Sequence, residues 1–221
     1  MTDCYRLYKE FGLPLDEAYM LAEYRCHIYK RDEDYKAAQR LRLEIRREMN
    51  VCAASESEET YYCRKYMEDH GYYEYREVYR KYPVGIYAPK CSIFHNEYKP
   101  LDQYTRNQFD YVALLNTGAV TLEEAYVLVK NKNFRYFDNN MLSMIYGIED
   151  RIFSDMSSNE RLSSFAQDYL NEIAHGRKRT QINSNNLPIY YAMMYYMDCR
   201  GYAYDPLATN SFVPFLNERH H

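Results

Sequence analysis

The chain has 221 residues, with 28 tyrosines, no tryptophan and 7 glycines, and its formal net charge at pH 7 is -4. That charge excludes the global positive field with which many proteins bind nucleic acids or membranes, so any such binding would be local. Because aliphatic side chains are few, tyrosine and methionine must complete the core, and each buried tyrosine hydroxyl then needs a hydrogen-bond partner.

Three helices are predicted at the start of the chain. Apolar residues at helical spacing over residues 4–11 predict the first, and Gly12 is suited to end it. The second begins after Pro14 and runs to about Lys30. The third follows the polar turn at residues 31–34 and ends near residue 49, because its apolar positions again recur at helical spacing.

The fourth predicted helix is long and rich in tyrosine. Ser55 or Ser57 caps its start, and it continues to about Lys81, since Pro83 cannot extend it. Gly71 is the one residue inside this stretch that favours a break.

An irregular connector with room for a short hairpin is predicted at residues 83–100, which contain three prolines. It separates a helical lobe at residues 1–82 from another at residues 101–219. In the second lobe we expect a helix over 101–116, one that Thr121 and Glu124 cap, one through Ile145 and Ile152, one between Ser157 and Gly176, and a last one ending at Arg200. The fold class is therefore all-α, a two-lobed bundle of eight or nine helices.

The two lobes echo each other when the sequence is compared with itself at a constant shift from Leu15 to Leu122. At this shift Leu15, Glu17, Ala18, Tyr19, Leu21, Tyr29 and Ile45 coincide with Leu122, Glu124, Ala125, Tyr126, Leu128, Tyr136 and Ile152. Any two amphipathic helical hairpins align to a similar degree, so two interpretations stay open: a shared pattern, or a duplicated three-helix unit.

No motif of a known catalytic or cofactor chemistry occurs. The chain lacks the phosphate-binding glycine loops, HExxH, GxSxG and the EF-hand loop. We therefore expect no cofactor and no catalytic residue, and an enzyme is the less favoured interpretation. The residues best suited to a metal are Cys52, Cys63, His70, Cys91 and His95, but only Cys91 and His95 approach the spacing of structural zinc ligands. Buried cysteines acting as small apolar side chains are the favoured alternative.

The compartment is predicted from the cysteines and from the apolar segments. The six cysteines form no CxxC pair, and the chain begins without a basic and then apolar signal segment. The longest uncharged run, at residues 187–197, is too short to cross a bilayer. A reducing, cytoplasmic setting without a membrane partner is therefore expected.

A basic segment extends from Tyr35 to Met49. Its Ala37-Ala38-x-x-Leu41-Arg42-x-x-Ile45 resembles the core of the UVR interaction motif of nucleotide-excision-repair proteins, and this resemblance implies helix pairing. A second basic cluster follows a predicted helix end, where cations complement the helix dipole. Together with stacking tyrosines, these clusters provide a nucleic-acid-binding alternative through Lys36, Arg40, Arg47, Arg177, Lys178 and Arg179.

A docking surface is the favoured function. If the fourth helix is continuous, Tyr62, Tyr66, Tyr73 and Arg76 share one face, while other tyrosines point away from it, so one buried stripe cannot hold them all. Tyrosine and arginine are the residues that anchor protein interfaces. We therefore expect a non-enzymatic interaction protein, docking a protein partner or itself, through Arg40, Arg46, Arg47, Tyr62, Tyr66, Tyr73 and Arg76. Packing of these rings against the other lobe of the same chain is the alternative that stays open. The composition, low in glycine and high in tyrosine, suits a phage or viral accessory protein.

Overall fold

The computed structural model describes residues 1–74, 87–89, 109–136, 139–158, 187–204 and 212–214, and singly 164, 167, 171 and 175. These residues form a bundle of α-helices with two pairs of three-residue strands, which confirms the predicted all-α class. In chain order the elements are α1 Cys4–Phe11, α2 Leu15–Tyr29, α3 Asp32–Met49, α4 Glu56–Asp69, β1 Tyr72–Glu74, β2 Tyr87–Pro89, α5 Tyr111–Asn116, α6 Leu122–Tyr136, α7 Asn139–Ser157, α8 Leu187–Asp198, β3 Tyr202–Tyr204 and β4 Phe212–Pro214.

The first three helices lie where the sequence predicts them. The Asp3 carboxylate caps α1 by accepting a hydrogen bond from the backbone N–H of Arg6, and Gly12 ends the helix with a left-handed φ of 72°. Pro14 precedes α2, and the polar residues that follow α2 start α3. Helix α2 is buried on all sides from Leu15 to Cys26, which makes it the centre of the first half.

The predicted fourth helix is wrong over residues 70–74. Helix α4 ends at Asp69, and Gly71 takes a left-handed φ of 83°, so the chain turns and continues as strand β1. This strand pairs antiparallel with β2, with Tyr72 opposite Pro89. Glycine adopts this backbone conformation at no steric cost, and burial of Tyr72 favours the turn over helix continuation. The predicted helical residues 75–81 lie outside the described residues.

The second half confirms most of the expected helices. Thr121 and Glu124 form the predicted capping box: the Thr121 N–H donates to the Glu124 carboxylate at 3.0 Å, and the Glu124 N–H donates to the Thr121 hydroxyl at 3.3 Å. Helix α5 begins at Tyr111, and residues 101–108 lie outside the described residues. So do most of the residues in the helix predicted between Ser157 and Gly176.

Tyrosine fills the core, as the composition predicts. In the part of the chain that the structure describes, seven tyrosines are at most 2% exposed: Tyr19, Tyr24, Tyr72, Tyr87, Tyr111, Tyr126 and Tyr202. Several of their hydroxyls have buried acceptors: Tyr111 donates to Glu17 at 2.6 Å, and Tyr126 donates to Glu149 at 3.0 Å. Such bonds offset the cost of burying a hydroxyl, so phenol groups can replace aliphatic ones in this interior.

The two halves meet along α2 and α6, and the strand pairs reach across this junction, β2 against α6 and β4 against α2. The division into lobes at 1–82 and 101–219 with a connector at 83–100 stays a prediction. Among the described residues, none of the helices combines the length and apolarity needed to cross a bilayer.

Candidate functional site

Three of the basic residues predicted for docking lie on α3, and they differ in their exposure and in whether they form an ion pair. Arg46 forms an ion pair with Glu59 of α4 at 3.4 Å, and Arg47 one with Glu44 at 2.7 Å. Arg47 nevertheless keeps 73% of its side chain exposed. Lys36 and Arg40 are exposed. The α3 part of the predicted surface is therefore present and accessible.

The predicted tyrosine face is not a single helix face. Tyr62 and Tyr66 lie on α4, but Tyr73 lies on β1 beyond the turn at Gly71, so the periodicity that aligned them does not apply. Tyr66 is buried, and its hydroxyl donates to Glu48 at 3.2 Å. Its burial raises the pKa of the phenol well above its usual value. Arg76 lies outside the described residues.

Two exposed residues that the sequence reasoning missed lie beside this region. Tyr61 is 52% exposed and Leu43 is 42% exposed. The Tyr61 ring packs edge-on against Tyr62, with 5.5 Å between centroids, and the Arg64 guanidinium lies 5.8 Å from the Tyr61 ring centroid. The assumption of a continuous helix selected the face of Tyr62 and hid the neighbouring residue.

These side chains lie on two helices, α3 and α4, that pack against each other. Leu43 and Arg46 are three residues apart on α3 and therefore lie on the same face. The Arg46–Glu59 ion pair joins that face to α4, where Tyr62 follows Glu59 by three residues. We call the set of Leu43, Arg46, Arg47, Tyr61 and Tyr62 the α3–α4 surface.

A second group of cations and rings joins α1 to α3. The Lys9 ammonium lies 4.6 Å from the Tyr8 ring centroid, and the Arg40 guanidinium lies 5.6 Å from that of Tyr5. Lys9 also donates to Glu44 at 2.8 Å, and this hydrogen bond holds the pKa of the Glu44 carboxyl below its usual range. Since Lys9 and Arg47 both pair with Glu44, the exposed charges best placed to meet an anion here are those of Lys36 and Arg40.

A buried network of charges lies between α2 and α6. Arg135 of α6 donates to Asp16 at 2.6 Å and to Glu17 at 3.0 Å, and Lys132 pairs with Glu17 at 3.0 Å. At the other end of α2, Arg25 pairs with Glu124 through hydrogen bonds of 2.7 and 2.6 Å. Every one of these side chains is almost fully buried. The network joins α2 to α6, and a ligand in solvent cannot reach its charges because they are buried and paired with one another.

The metal candidates that the structure describes are not grouped into one site. Cys63 is buried and Cys52 is exposed, while Cys91 and His95 lie outside the described residues. In the part of the chain that the structure describes, no three His, Cys, Asp or Glu side chains are grouped to hold a metal ion. Burial raises the pKa of the Cys63 thiol to about 12 and therefore favours the inert thiol form. Arg177, Lys178 and Arg179 of the nucleic-acid alternative also lie outside the described residues.

The segment that resembles the UVR motif has its apolar face covered within the chain. Ala37, Ala38, Leu41 and Ile45 of α3 are all buried, and α3 packs against α2 and α4.

Comparison of the whole chain with known protein families, with characterised proteins and with solved structures finds no match.

Proposed function

We propose that this chain is a non-enzymatic interaction protein that docks another protein chain, a partner or a second copy of itself, through the α3–α4 surface. The observation that carries the proposal is the exposure of Leu43, which shares a face of α3 with Arg46 and Arg47, and of Tyr61 on the adjacent α4. Aromatic rings and arginines are the residues that most often supply binding energy at protein interfaces. The exposed Tyr61 ring and the exposed Leu43 side chain each offer apolar area that a partner would remove from water.

The charges of this surface favour a protein partner over a strongly charged polymer. Arg46 is paired with Glu59 at 3.4 Å, and Arg64 lies 3.9 Å from Glu74. A surface whose cations already have carboxylate partners has little net positive field. Such a surface suits an apolar contact with a polar rim, which is the usual anatomy of a protein interface.

The test places a photo-crosslinking amino acid at position 61 or 43 of the full chain in its native host. A matched control carries it at position 10, because Glu10 lies on α1 and is also about half exposed. We expect one discrete crosslinked product from positions 61 and 43, and none from position 10. Mass spectrometry of that product then distinguishes a second copy of the chain from another protein.

A double substitution supplies the loss-of-binding arm. Leu43→Ser with Tyr61→Ser removes exposed apolar groups and should leave the thermal unfolding midpoint near that of the wild type, while the association seen by sedimentation or by crosslinking from position 62 is lost. Crosslinking that is equally strong from position 10, or that the double substitution does not reduce, contradicts the proposal.

A nucleic-acid-binding alternative is favoured by the exposed Lys36 and Arg40, because the Arg40 guanidinium lies 5.6 Å from the Tyr5 ring centroid. Cations beside aromatic rings are the elements with which proteins hold single strands. A fluorescent single-stranded oligonucleotide at about 50 mM salt tests this alternative, because phosphate contacts lose affinity steeply as salt rises. Binding that falls with salt and is weakened by Arg40→Ala supports it, and the absence of binding at low salt removes it.

A further inference from the structure

The two halves of the chain repeat one another element by element. Helices α1, α2 and α3 begin at positions 4, 15 and 32, and α5, α6 and α7 begin at positions 111, 122 and 139, so the shift from Leu15 to Leu122 holds for all three. The caps follow the same shift, since Asp3 caps α1 and Asp110 caps α5, each through its side chain. Helices α2 and α6 both have 15 residues. We call residues related by this shift first-shift counterparts.

The correspondence extends to the fourth helix and the strands at a larger shift, that from Gly71 to Gly201, because the stretch between α7 and α8 is longer than that between α3 and α4. In both halves a helix ends shortly before a glycine with positive φ and a buried tyrosine that starts a strand. The identical pairs are Tyr61 and Tyr191, Tyr66 and Tyr196, Met67 and Met197, Gly71 and Gly201, and Tyr72 and Tyr202. Both partner strands end in proline, and both pairings are antiparallel with that proline opposite the tyrosine.

Hydrogen bonds within each half are repeated as well. The Tyr66 hydroxyl donates to Glu48 at 3.2 Å, and its counterpart Tyr196 donates to Asp155, the first-shift counterpart of Glu48, at 2.8 Å. Such an agreement is not expected from amphipathic periodicity, which places side chains on faces but does not pair two particular polar groups.

One buried polar cluster recurs with its positive and negative positions exchanged. In the first half Arg42 pairs with Glu23 at 3.0 Å and donates to the Tyr19 hydroxyl at 3.2 Å. Their first-shift counterparts are Glu149, Lys130 and Tyr126. There the Tyr126 hydroxyl donates to Glu149 at 3.0 Å, and the buried Lys130 ammonium lies 5.7 Å from the Tyr126 ring centroid.

Contacts between the halves are reciprocal. Glu17 pairs with Lys132 at 3.0 Å, and their first-shift counterparts Glu124 and Arg25 pair at 2.6 Å. A contact in which residue i meets residue j while j meets i is the signature of an isologous, two-fold interface. Each half therefore presents a face that is complementary to itself.

The turns before the strand pairs cross this interface in the same reciprocal way. A Cβ atom at Gly71 would lie 3.5 Å from the Arg135 side chain of the other half, and one at Gly201 would lie 3.0 Å from the Ile28 side chain. Ile28 and Arg135 are themselves first-shift counterparts. Each half thus packs its turn against the second helix of the other.

We propose that the chain consists of two copies of one unit that dock as an internal dimer through self-complementary faces of α2 and α6, each copy closing the core of the other with its strand pair. The partner that this interaction surface fits is a second copy of the same unit, here supplied by the same chain. The proposal does not depend on the docking function.

The first arm of the test exchanges the pair with reversed charges in the full chain. Lys130→Glu alone places two carboxylates together, and Glu149→Arg alone places two cations together, so both should lower the unfolding midpoint strongly. Combined, they rebuild the arrangement of Glu23 and Arg42 beside Tyr126, and we expect at least half of the lost midpoint to return. The control applies the same two changes one residue further on, as Asn131→Glu with Asp150→Arg, and should show no recovery. Recovery no greater than in this control overturns the proposal.

The second arm separates duplication from an ordinary ion pair, which charge reversal would also rescue. Arg135 stacks on Tyr72, with 4.1 Å to the ring centroid, beside Asp16 and Glu17. The counterparts of Tyr72, Asp16 and Glu17 are Tyr202, Glu123 and Glu124. Because Ile28 is the counterpart of Arg135, the change Ile28→Arg would place a guanidinium among an equivalent set.

We expect the Ile28→Arg change to lower the midpoint by less than about 3 °C, a small fraction of what a core defect costs. Leu142→Arg is the matched control, since Leu142 is also half-buried on a helix, and it should cost clearly more. Equal losses from the two changes contradict the equivalence of the halves, whatever the result of the first arm.

Discussion

The guanidinium of Arg25 on α2 and the carboxylate of Glu124 on α6 form two hydrogen bonds, of 2.7 and 2.6 Å, and neither side chain is exposed to solvent. Arg25 also donates to the backbone carbonyl of Thr2, and Glu124 caps its own helix at Thr121. The pair therefore ties the N-terminus, α2 and α6 together. A buried charge keeps its cost of desolvation when its partner is removed, so the pair should respond differently to single and double changes.

Arg25→Met should lower the free energy of unfolding by about 3 to 5 kcal/mol, because it leaves the Glu124 carboxylate buried and unpaired. Adding Glu124→Gln should restore part of that loss, since an amide has no net charge and still accepts from Thr121. Chemical denaturation measures both values. Arg6→Met is the control: Arg6 and Glu10 form an exposed pair, and its loss should leave stability close to that of the wild type. A double variant no more stable than Arg25→Met would contradict this account.

The Asp16 carboxylate predicts how stability depends on acid. Burial opposes its ionisation, but the charges of Arg135 and Lys132 outweigh burial and hold the pKa of this carboxyl below its ordinary value of 3.8. A group whose pKa is lowered by folding stabilises the fold fully above its unfolded-state pKa, and this contribution is lost as the pH falls through the folded-state pKa. The fold should therefore weaken as the pH drops below about 4.

Asp16→Asn tests this acid dependence. The variant should be less stable at neutral pH by about 2 kcal/mol, the usual scale for a hydrogen bond to a charged group, and its stability should fall less steeply in acid. Urea denaturation at a series of pH values gives both quantities. Asp69→Asn removes an equal charge from the surface, where the side chain is about half exposed, and should keep the wild-type curve. Parallel curves for the wild type and Asp16→Asn would refute the role of this carboxylate.

Local sequence patterns predicted the helices well, but they could not predict contacts between residues that are far apart in the sequence. Helical spacing located α1, α2 and α3, and the capping box located α6. The sequence marks Gly71 as a position where the helix could break but does not decide it, because a tyrosine-rich segment has similar periodicity on either side of the glycine and a three-residue strand has almost none. The failure carried over to the candidate site, since a false continuous helix joined Tyr62 to Tyr73 and passed over Tyr61.

Sequence patterns also could not show which charged residues are buried. Glu17 and Arg25 look like surface residues, because charged side chains are rarely buried without a partner. Their partners Lys132 and Glu124 lie far away in the chain, on α6. Only the packing of α2 on α6 shows that these charges pair, although the internal repeat of the sequence had already aligned Glu17 with Glu124.

The cysteines allow a direct check of the core. Cys4, Cys26 and Cys63 are buried, and burial raises the pKa of the Cys4 thiol to about 12. Cys52 and Cys199 are exposed. Since the thiolate is the reactive form, iodoacetamide should label the two exposed cysteines of the folded chain and spare the three buried ones. Mass spectrometry of tryptic peptides, in a Cys91→Ser background, reads out each site. All five should label in denaturant, and rapid native labelling of Cys4 or Cys63 would be incompatible with this packing.

Two glycines with similar backbone geometry separate strain from crowding. Gly12 has a φ of 72° with open space around it, while Gly201 has a φ of 87° and faces the Ile28 side chain. Gly12→Ala should cost only the left-handed strain, about 1 kcal/mol. Gly201→Ala adds a contact between the new Cβ and Ile28 Cγ2 at 3.0 Å, and should cost about 2 to 3 kcal/mol in all.

A double-mutant cycle isolates the crowding part of the Gly201→Ala effect. In an Ile28→Ala background the Cγ2 atom is gone, so Gly201→Ala should cost no more than Gly12→Ala does in the wild type. Thermal or denaturant unfolding of the four chains in the cycle supplies the coupling energy. If Gly201→Ala is equally costly with and without the Ile28 side chain, the turn before β3 does not pack against α2 of the other half. The contacts between the halves would then not be reciprocal at this position.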